Sequence, residues 1–332
     1  MNIIEEILGR EEFKAAPPVL VDVGASSEIH AEWAAIAKYS ICVAFDADER
    51  EMGYIVNETA GFKKLYIYNS IVTDDEAGEK DFHLAKFPQC SSVLEPDNEK
   101  LSKWAFGQYF EVEKTVRLKN RSLPSVLKEL GIARVDWFKT DSQGIDMRLF
   151  SCMGETITGG VIAADFEPGI IDAYKGEDKL FALMAYMSKM PFWMSDMTVK
   201  GNYRISAAAL SKLSGFEKRY MESFFKKTPG WAEVSFMNDM GNEKLMSKRE
   251  YLLAWIFATV KKQHGFAAEI AAKGFERFGD RIFPRLARRS MKYMRPGFLR
   301  ILGFAAAELF SRSIRKIYHL AGKLASKTGI FK

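Results

Sequence analysis

The chain has 332 residues, 48% of them hydrophobic and 27% charged, the composition of a globular protein rather than a disordered or fibrous one. Its net charge of +5 hides a split, because residues 261–332 hold 17 basic and 4 acidic side chains and leave the rest of the chain acidic. Asymmetry of this kind points to a surface-binding role for the basic piece, while three scattered cysteines (Cys42, Cys90, Cys152) argue against a zinc site or disulfide framework and for reducing surroundings.

The first 14 residues alternate acids with Ile3, Ile4, Ile7 and Leu8, a helical spacing that Pro17 and Pro18 end. An acidic start of this sort is not the basic start of an export signal. Val19–Gly24 is a buried-type apolar run closing on Asp22 and Gly24, the pattern of a parallel strand entering a cofactor turn. A helix is expected over 28–39, a second strand over Ile41–Asp48, another helical stretch, and a third strand over Lys64–Val72. Strand alternating with helix predicts a doubly wound parallel sheet.

Residues 73–122 read as loops with short strands, one of them Phe110–Leu118. A helix over Leu123–Leu130 stops at Gly131, and Val135–Asp141 and Gly160–Pro168 read as the fourth and fifth strands around a helix at 145–153. Residues 172–189 are expected to be helical, Phe192–Val199 and Ala232–Asn238 an antiparallel edge pair, and 243–262 a long helix. The longest apolar runs, near 251–260 and 301–310, are about ten residues, where a spanning helix needs roughly 20.

Ligands of doubly wound sheets bind at the carboxyl ends of the strands. Polar residues follow apolar runs at Asp22 and Gly24, at Asp46 and Asp48, at Asn69 and Ser70, at Asp141 and Gln143, and at Asp165 and Glu167. One such end is ordinarily a solvated turn; five in succession favour a shared pocket. Gly24 is not followed by the further glycines of a dinucleotide fingerprint, which disfavours an NAD-dependent oxidoreductase. An acid at Asp46 suits two ribose hydroxyls, so the pattern favours a nucleoside without phosphates, namely S-adenosylmethionine.

With these residues in view, the chain resembles the FkbM family of S-adenosylmethionine-dependent methyltransferases. The resemblance rests on LVDVGAS (Leu20–Ser26), VAFDAD (Val43–Asp48), CSSVLEP (Cys90–Pro96), VDWFKTDSQGIDMRLF (Val135–Phe150) and the stretch Gly160–Asp178, and it spans about residues 18–240. It implies a class I methyltransferase, Rossmann-like doubly wound α/β sheet. It also implies that Gly24 and Ala25, supported by Asp22, line the methionine end of the cofactor, that Asp46 holds the ribose, and that Asn69 and Ser70 flank the adenine. Gln143 and Asp141 would face the methyl group and acceptor, and Ser91 and Ser92 would close the site. Asp46 stands where relatives more often carry glutamate, so Asp48 is expected to share the ribose role.

Methyl transfer to an alcohol asks for alignment and a carboxylate to take the hydroxyl proton. Asp141 is the first candidate and Glu167 the second. The histidines His30, His83, His264 and His319 have no metal-ligand spacing, so no metal is expected. Trp104, Phe106, Tyr109 and Phe110 are expected chiefly to pack the core, with a stacking lid as the alternative.

The expected organisation is an N-terminal helix (1–17), a methyltransferase domain (18–262) and a basic helical extension (263–332). The expected activity is O-methylation of a hydroxyl on a small molecule or glycan, a sugar in a surface glycan or related natural product. The rival is a non-catalytic glycan-binding or scaffold protein that keeps the fold, since a carboxylate at Glu28 would repel the cofactor's own. The setting expected is cytoplasmic. The basic extension either docks on its own domain or touches the inner face of an anionic membrane; no nucleic-acid partner is expected, because no RNA-reading motif accompanies the charge.

Overall fold

The computed structural model describes residues 3–25, 29–48, 61–75, 78–242, 246–295, 308 and 311–312. Two short helices, α1 (Ile3–Leu8) and α2 (Glu11–Ala15), lead into the strands β1 (Val19–Val23), β2 (Ile41–Phe45) and β3 (Lys64–Tyr68). An insertion follows with β4 (Ile71–Thr73), β5 (Glu79–Ala85), the single turn α3 (Asn98–Leu101) and β6 (Val112–Ser122). The chain then runs through α4 (Leu123–Glu129), β7 (Trp137–Thr140), α5 (Asp146–Ser151), α6 (Glu155–Thr158), β8 (Ala163–Phe166), α7 (Leu180–Met187) and β9 (Phe192–Asn202). Last come α8 (Ala207–Leu210), α9 (Gly215–Phe224), β10 (Thr228–Asn238), α10 (Lys248–Val260), α11 (His264–Phe278) and α12 (Ile282–Met294).

Seven strands form one sheet in the order β3-β2-β1-β7-β8-β10-β9. The first five are mutually parallel, and β10 runs antiparallel to both β8 and β9. The edge strand β9 therefore runs with the first five, and six strands in one direction with a single reversed strand inserted beside the edge is the class I methyltransferase arrangement. The insertion folds as a separate three-stranded sheet, β4-β6-β5.

Alternation along the central strands sorts the core into two layers. Leu20 and Trp137 face one layer with Trp255, Phe257, Ile270 and Phe283, while Val21 and Phe138 face the other with Leu149, Phe150 and Leu183. Helix α10 opens with a reciprocal capping box between Ser247 and Glu250 and is buried along most of its length. Helices α11 and α12 lie against it: Trp255 Nε1 donates to Ser290 Oγ at 2.9 Å, and Gly274 admits the Phe283 ring where a Cβ would stand 2.4 Å from a ring carbon. Arg285 on α12 pairs with Glu6 on α1, at 2.8 and 2.9 Å. Residues 296–300 and almost all of the tail beyond them lie outside the described residues.

Several expectations change. The helix expected over 28–39 is two 3-10 turns, Ala31–Ala35 and Ala37–Tyr39, because Trp33 and Ile36 are drawn fully into the core and the Trp33 ring packs 5.9 Å from Trp137. The helical stretch expected after Asp48 falls largely on residues 49–60, outside the described residues. The single strand expected over Lys64–Val72 is two, since Asn69 and Ser70 turn the chain from β3 into β4 of the other sheet. Of the helix expected over 172–189 only α7 forms. Glu177 Oε1 instead accepts from the backbone N–H groups of Ala173 and Tyr174 (2.6 and 3.1 Å), and Gly176 sits at φ +72°, which holds 172–179 as a loop.

Candidate active site

The strand order reverses between β1 and β7, so the chain leaves these neighbours in opposite directions and opens a crevice at their carboxyl ends. Gly24 and Asp141 meet there. Gly24 has φ +75°, and a Cβ on it would stand 2.1 Å from the Asp141 carbonyl oxygen, so glycine is required for both conformation and space. The N–H groups of Gly24 and Ala25 both donate to the Phe45 carbonyl (3.0 and 3.1 Å), tying this turn to the end of β2. Beneath it Asp22 is fully buried, paired with Lys139 Nζ at 3.0 Å and accepting from the His30 N–H at 3.1 Å. Lys139 Nζ also donates to the Gly24 carbonyl at 3.1 Å. Burial works to lower the Lys139 pKa, but the charges of Asp22 and Asp141 outweigh it and hold the ammonium firmly protonated.

A narrow cleft of about 80 Å³ is lined by Gly24, Asp46, Asp48, Ser70, Ser91 and Gln143 among others. Asp46 Oδ1 accepts from the Asp48 N–H (2.9 Å), and Asp48 Oδ2 accepts from Ser91 Oγ (3.1 Å). Ser70 Oγ is buried in this cleft with no hydrogen-bond partner among the described residues, a donor and acceptor left over by the protein itself. Acids at the end of β2 and this spare hydroxyl fit a nucleoside. The cleft is smaller than the roughly 300 Å³ of an ordinary ligand pocket.

A second cavity, about 430 Å³, shares Asp141, Gln143 and Gln89 with the first. Its walls are aromatic: Phe106, Tyr109, Phe110, Tyr174 and Trp231 all line it. Phe106 packs on Trp231 with ring centroids 6.0 Å apart, and Phe110 on Tyr174 at 5.5 Å. The inserted aromatics are thus both packed and site-lining: Trp104, Phe106 and Phe110 are buried in a cluster of their own, while Tyr109 stands exposed at the rim.

Between the cavities the polar groups are tightly held. Gln143 sits at φ +56°, with Nε2 donating to Asp141 Oδ1 at 2.5 Å and Oε1 accepting from the Tyr174 hydroxyl at 3.0 Å. Ser92 Oγ donates to the Gln143 carbonyl at 2.8 Å. Glu167, from the end of β8, has its pKa pushed up to about 9 by burial first and then by the charge and hydrogen bond of Asp141. Burial and the neighbouring Asp141 charge thus favour the protonated form of the Glu167 carboxyl. Asp146 is buried behind them and accepts from Thr140 Oγ1 (3.0 Å), the N–H and hydroxyl of Ser142, and the Glu167 N–H (3.0 Å). Burial raises its pKa to about 6, opposed by the Ser142 hydroxyl. Burial also pushes the Cys90 thiol up to about 12, so it is no thiolate nucleophile.

Of the residues expected from the sequence, Gly24, Asp46, Ser70, Asp141 and Gln143 line the first cleft, and Asp141, Gln143 and Glu167 the second. Asp48 and Ser91 join the first, and Ser92 braces Gln143. Asp22 lies under the turn, the supporting position expected of it, Ala25 is fully buried, and Asn69 is an exposed residue that lines neither cavity. Ser26, Ser27 and Glu28 are outside the described residues. Lys139, Asp146, Tyr174 and Trp231 received no role from the sequence. The first three sit inside the motifs that carry the resemblance; Trp231 lies far along the chain and no local signal marks it. Neither His30, His83 nor His264 lines either cavity.

The strand order and the paired cavities at its switch point define a class I methyltransferase-type fold with a candidate site in the usual place for that fold. No protein-family model and no curated protein matches the chain. Among solved structures it is similar to geranyl diphosphate C-methyltransferase from Streptomyces coelicolor A3(2), crystallised with Mg2+, geranyl diphosphate and S-adenosyl-L-homocysteine: 9% identity, 71% of this chain, 78% of that one, TM-score 0.30. A geranyl diphosphate methyltransferase in complex with SAM is similar at 9% identity over 71% and 84% of the two chains, TM-score 0.26. Likeness at this level does not extend to residues or substrates. No helix among the described residues is long and apolar enough to cross a membrane.

Proposed function

We propose that the protein is an S-adenosylmethionine-dependent O-methyltransferase of the FkbM type, acting on a hydroxyl of a sugar in a surface glycan or related natural product. The observation that carries this reading is the meeting of the two cavities at Asp141 and Gln143, with the Glu167 carboxyl beside them. Asp46 and Asp48 would take the ribose hydroxyls, Ser70 the base, and the Gly24 turn the methionine end. When bound, S-adenosylmethionine supplies a methyl group on a sulfonium, a leaving group that needs no acid from the protein.

The chain's own residues then have two tasks. The aromatic walls hold the flat apolar face of an acceptor and exclude water. Asp141, oriented by the Gln143 amide, accepts the hydroxyl proton as the oxygen attacks and becomes a neutral carboxyl, while Glu167 keeps its own proton throughout. The described lining of the larger cavity holds no Lys or Arg, so it favours a neutral acceptor over a phosphorylated one.

Calorimetry of the full chain with S-adenosylmethionine tests the cofactor, and Asp141→Ala tests the chemistry. Binding is expected in both proteins and turnover only in the wild type. Absence of binding at millimolar cofactor would leave the non-catalytic binding module as the reading, and unchanged turnover in Asp141→Ala would remove that residue from the mechanism.

A further inference from the structure

The connection from β9 to β10, residues 203–227, carries an aromatic stripe on its outer surface. On α9, Phe216 and Phe224 are each 71% exposed and Tyr220 48%, spaced four residues apart, and Phe225 follows at 58%. An amphipathic helix normally turns such a stripe to the core; here the core takes only Met221. The exposure is not fraying. Ser214 and Glu217 cap the helix reciprocally, with Glu217 Oε2 accepting from the Ser214 N–H at 2.7 Å, and Tyr220 stacks on Phe224 at 4.7 Å. The segment holds six basic residues against two acids, and Lys212, Arg219, Lys226 and Lys227 are exposed. Glu217, one of the two acids, is turned back into the cap.

We infer that α9 is a membrane-docking element, laying Phe216, Tyr220 and Phe224 into the headgroup–acyl boundary of an anionic bilayer while Arg219, Lys226 and Lys227 meet the lipid phosphates. Charge decides the occupant. A second copy would bring the same cationic stripe against itself in a two-fold contact, whereas an anionic lipid surface complements both the rings and the cations. The strands that feed the segment also supply Asn202 and Trp231 to the larger cavity, and Arg204 lies over the Trp104 ring at 5.7 Å, so docking ties the acceptor site to the membrane surface. The inference does not rest on the methyl-transfer chemistry.

The test is co-sedimentation of the full chain with phosphatidylcholine vesicles, with and without phosphatidylserine. The wild type should pellet with the anionic vesicles, less so as salt rises. Phe216→Ser/Tyr220→Ser/Phe224→Ser leaves residues 296–332 intact and should lower the partition coefficient by about tenfold or more, with an unchanged melting curve. Lys226→Glu/Lys227→Glu, at exposed positions, should abolish the preference for phosphatidylserine. A wild type that stays in solution, a triple variant that pellets as well as wild type, or a dimer that the triple substitution converts to monomer would each overturn the inference.

Discussion

Gln143 Nε2 stands 2.5 Å from Asp141 Oδ1 while the Gln143 backbone occupies the left-handed region at φ +56°. That conformation costs a non-glycine residue about 1–2 kcal/mol, and the fold keeps it with the Ser92 and Tyr174 hydrogen bonds. Stability and activity should therefore separate here. Gln143→Gly should raise the unfolding free energy by up to about 1 kcal/mol by relieving the backbone, yet lower turnover by about a hundredfold by releasing Asp141. Chemical denaturation and kcat, measured on the same preparation, check both halves.

Glu167 gives a pH signature. Its folded pKa, about 9, lies above the ordinary 4.5, so between those values the folded chain holds a proton that the unfolded chain has lost. Stability from this group is complete below about pH 4.5 and declines as pH rises toward 9, by at most about 1.4 kcal/mol per pH unit. Glu167→Gln removes the titration. Its melting temperature should fall less than that of the wild type between pH 6 and pH 9; parallel curves would show that the carboxyl is not held protonated.

The central sheet was legible in the sequence because its parallel strands are continuous apolar runs ending in acids, and burial on both faces demands such runs. The acids at those ends located Asp46, Asp141 and Glu167 for the same reason. What escaped depends on contacts distant in sequence. Nothing near Trp231 says that it will face Phe106, and nothing near Ala31 says that Trp33 will be pulled onto Trp137 and tighten a helix into 3-10 turns. The Glu177 side chain similarly captures the Ala173 and Tyr174 N–H groups and stops a helix that local propensity allows.

Asp46 and Ser70 should matter for cofactor binding more than for folding. Asp46→Ala removes one of the two carboxylates that line the cleft after β2 and should weaken S-adenosylmethionine about ten- to a hundredfold in calorimetry, the worth of a hydrogen bond to a charged group. Ser70→Ala deletes a buried hydroxyl that has no partner among the described residues, so the apo protein should be no less stable, and slightly more so, while affinity falls. A Ser70→Ala protein that melts several degrees lower would place that hydroxyl in the fold rather than the site.

Gly24→Ala is expected to be severe. The added methyl meets the Asp141 carbonyl at 2.1 Å, and φ +75° adds its own cost, so β1 and β7 must separate at the point where the two cavities join. Cofactor binding should be undetectable, and stability should drop by more than about 2 kcal/mol. Wild-type affinity in this variant would mean that the cleft at Gly24 is not where the cofactor lies.

Far from the site, Arg249 fastens α10 to the sheet. Its guanidinium grips both oxygens of Asp136 (2.8 and 2.9 Å), donates to the Ala16 and Pro17 carbonyls (2.9 and 3.0 Å) and reaches Glu250 at 2.9 Å. Asp136 is fully buried just ahead of β7 and also accepts from the Val19 N–H at 2.8 Å. Removing one partner of such a pair strands the other charge out of water, at a cost of about 3–5 kcal/mol. Arg249→Ala should lower the melting temperature by many degrees, whereas Arg249→Ala combined with Asp136→Asn should recover part of the loss. Cofactor affinity of whatever fraction stays folded should be unchanged, because Gly24 and Asp141 follow the carboxyl ends of β1 and β7, whereas this clamp holds the opposite, amino ends of the same two strands.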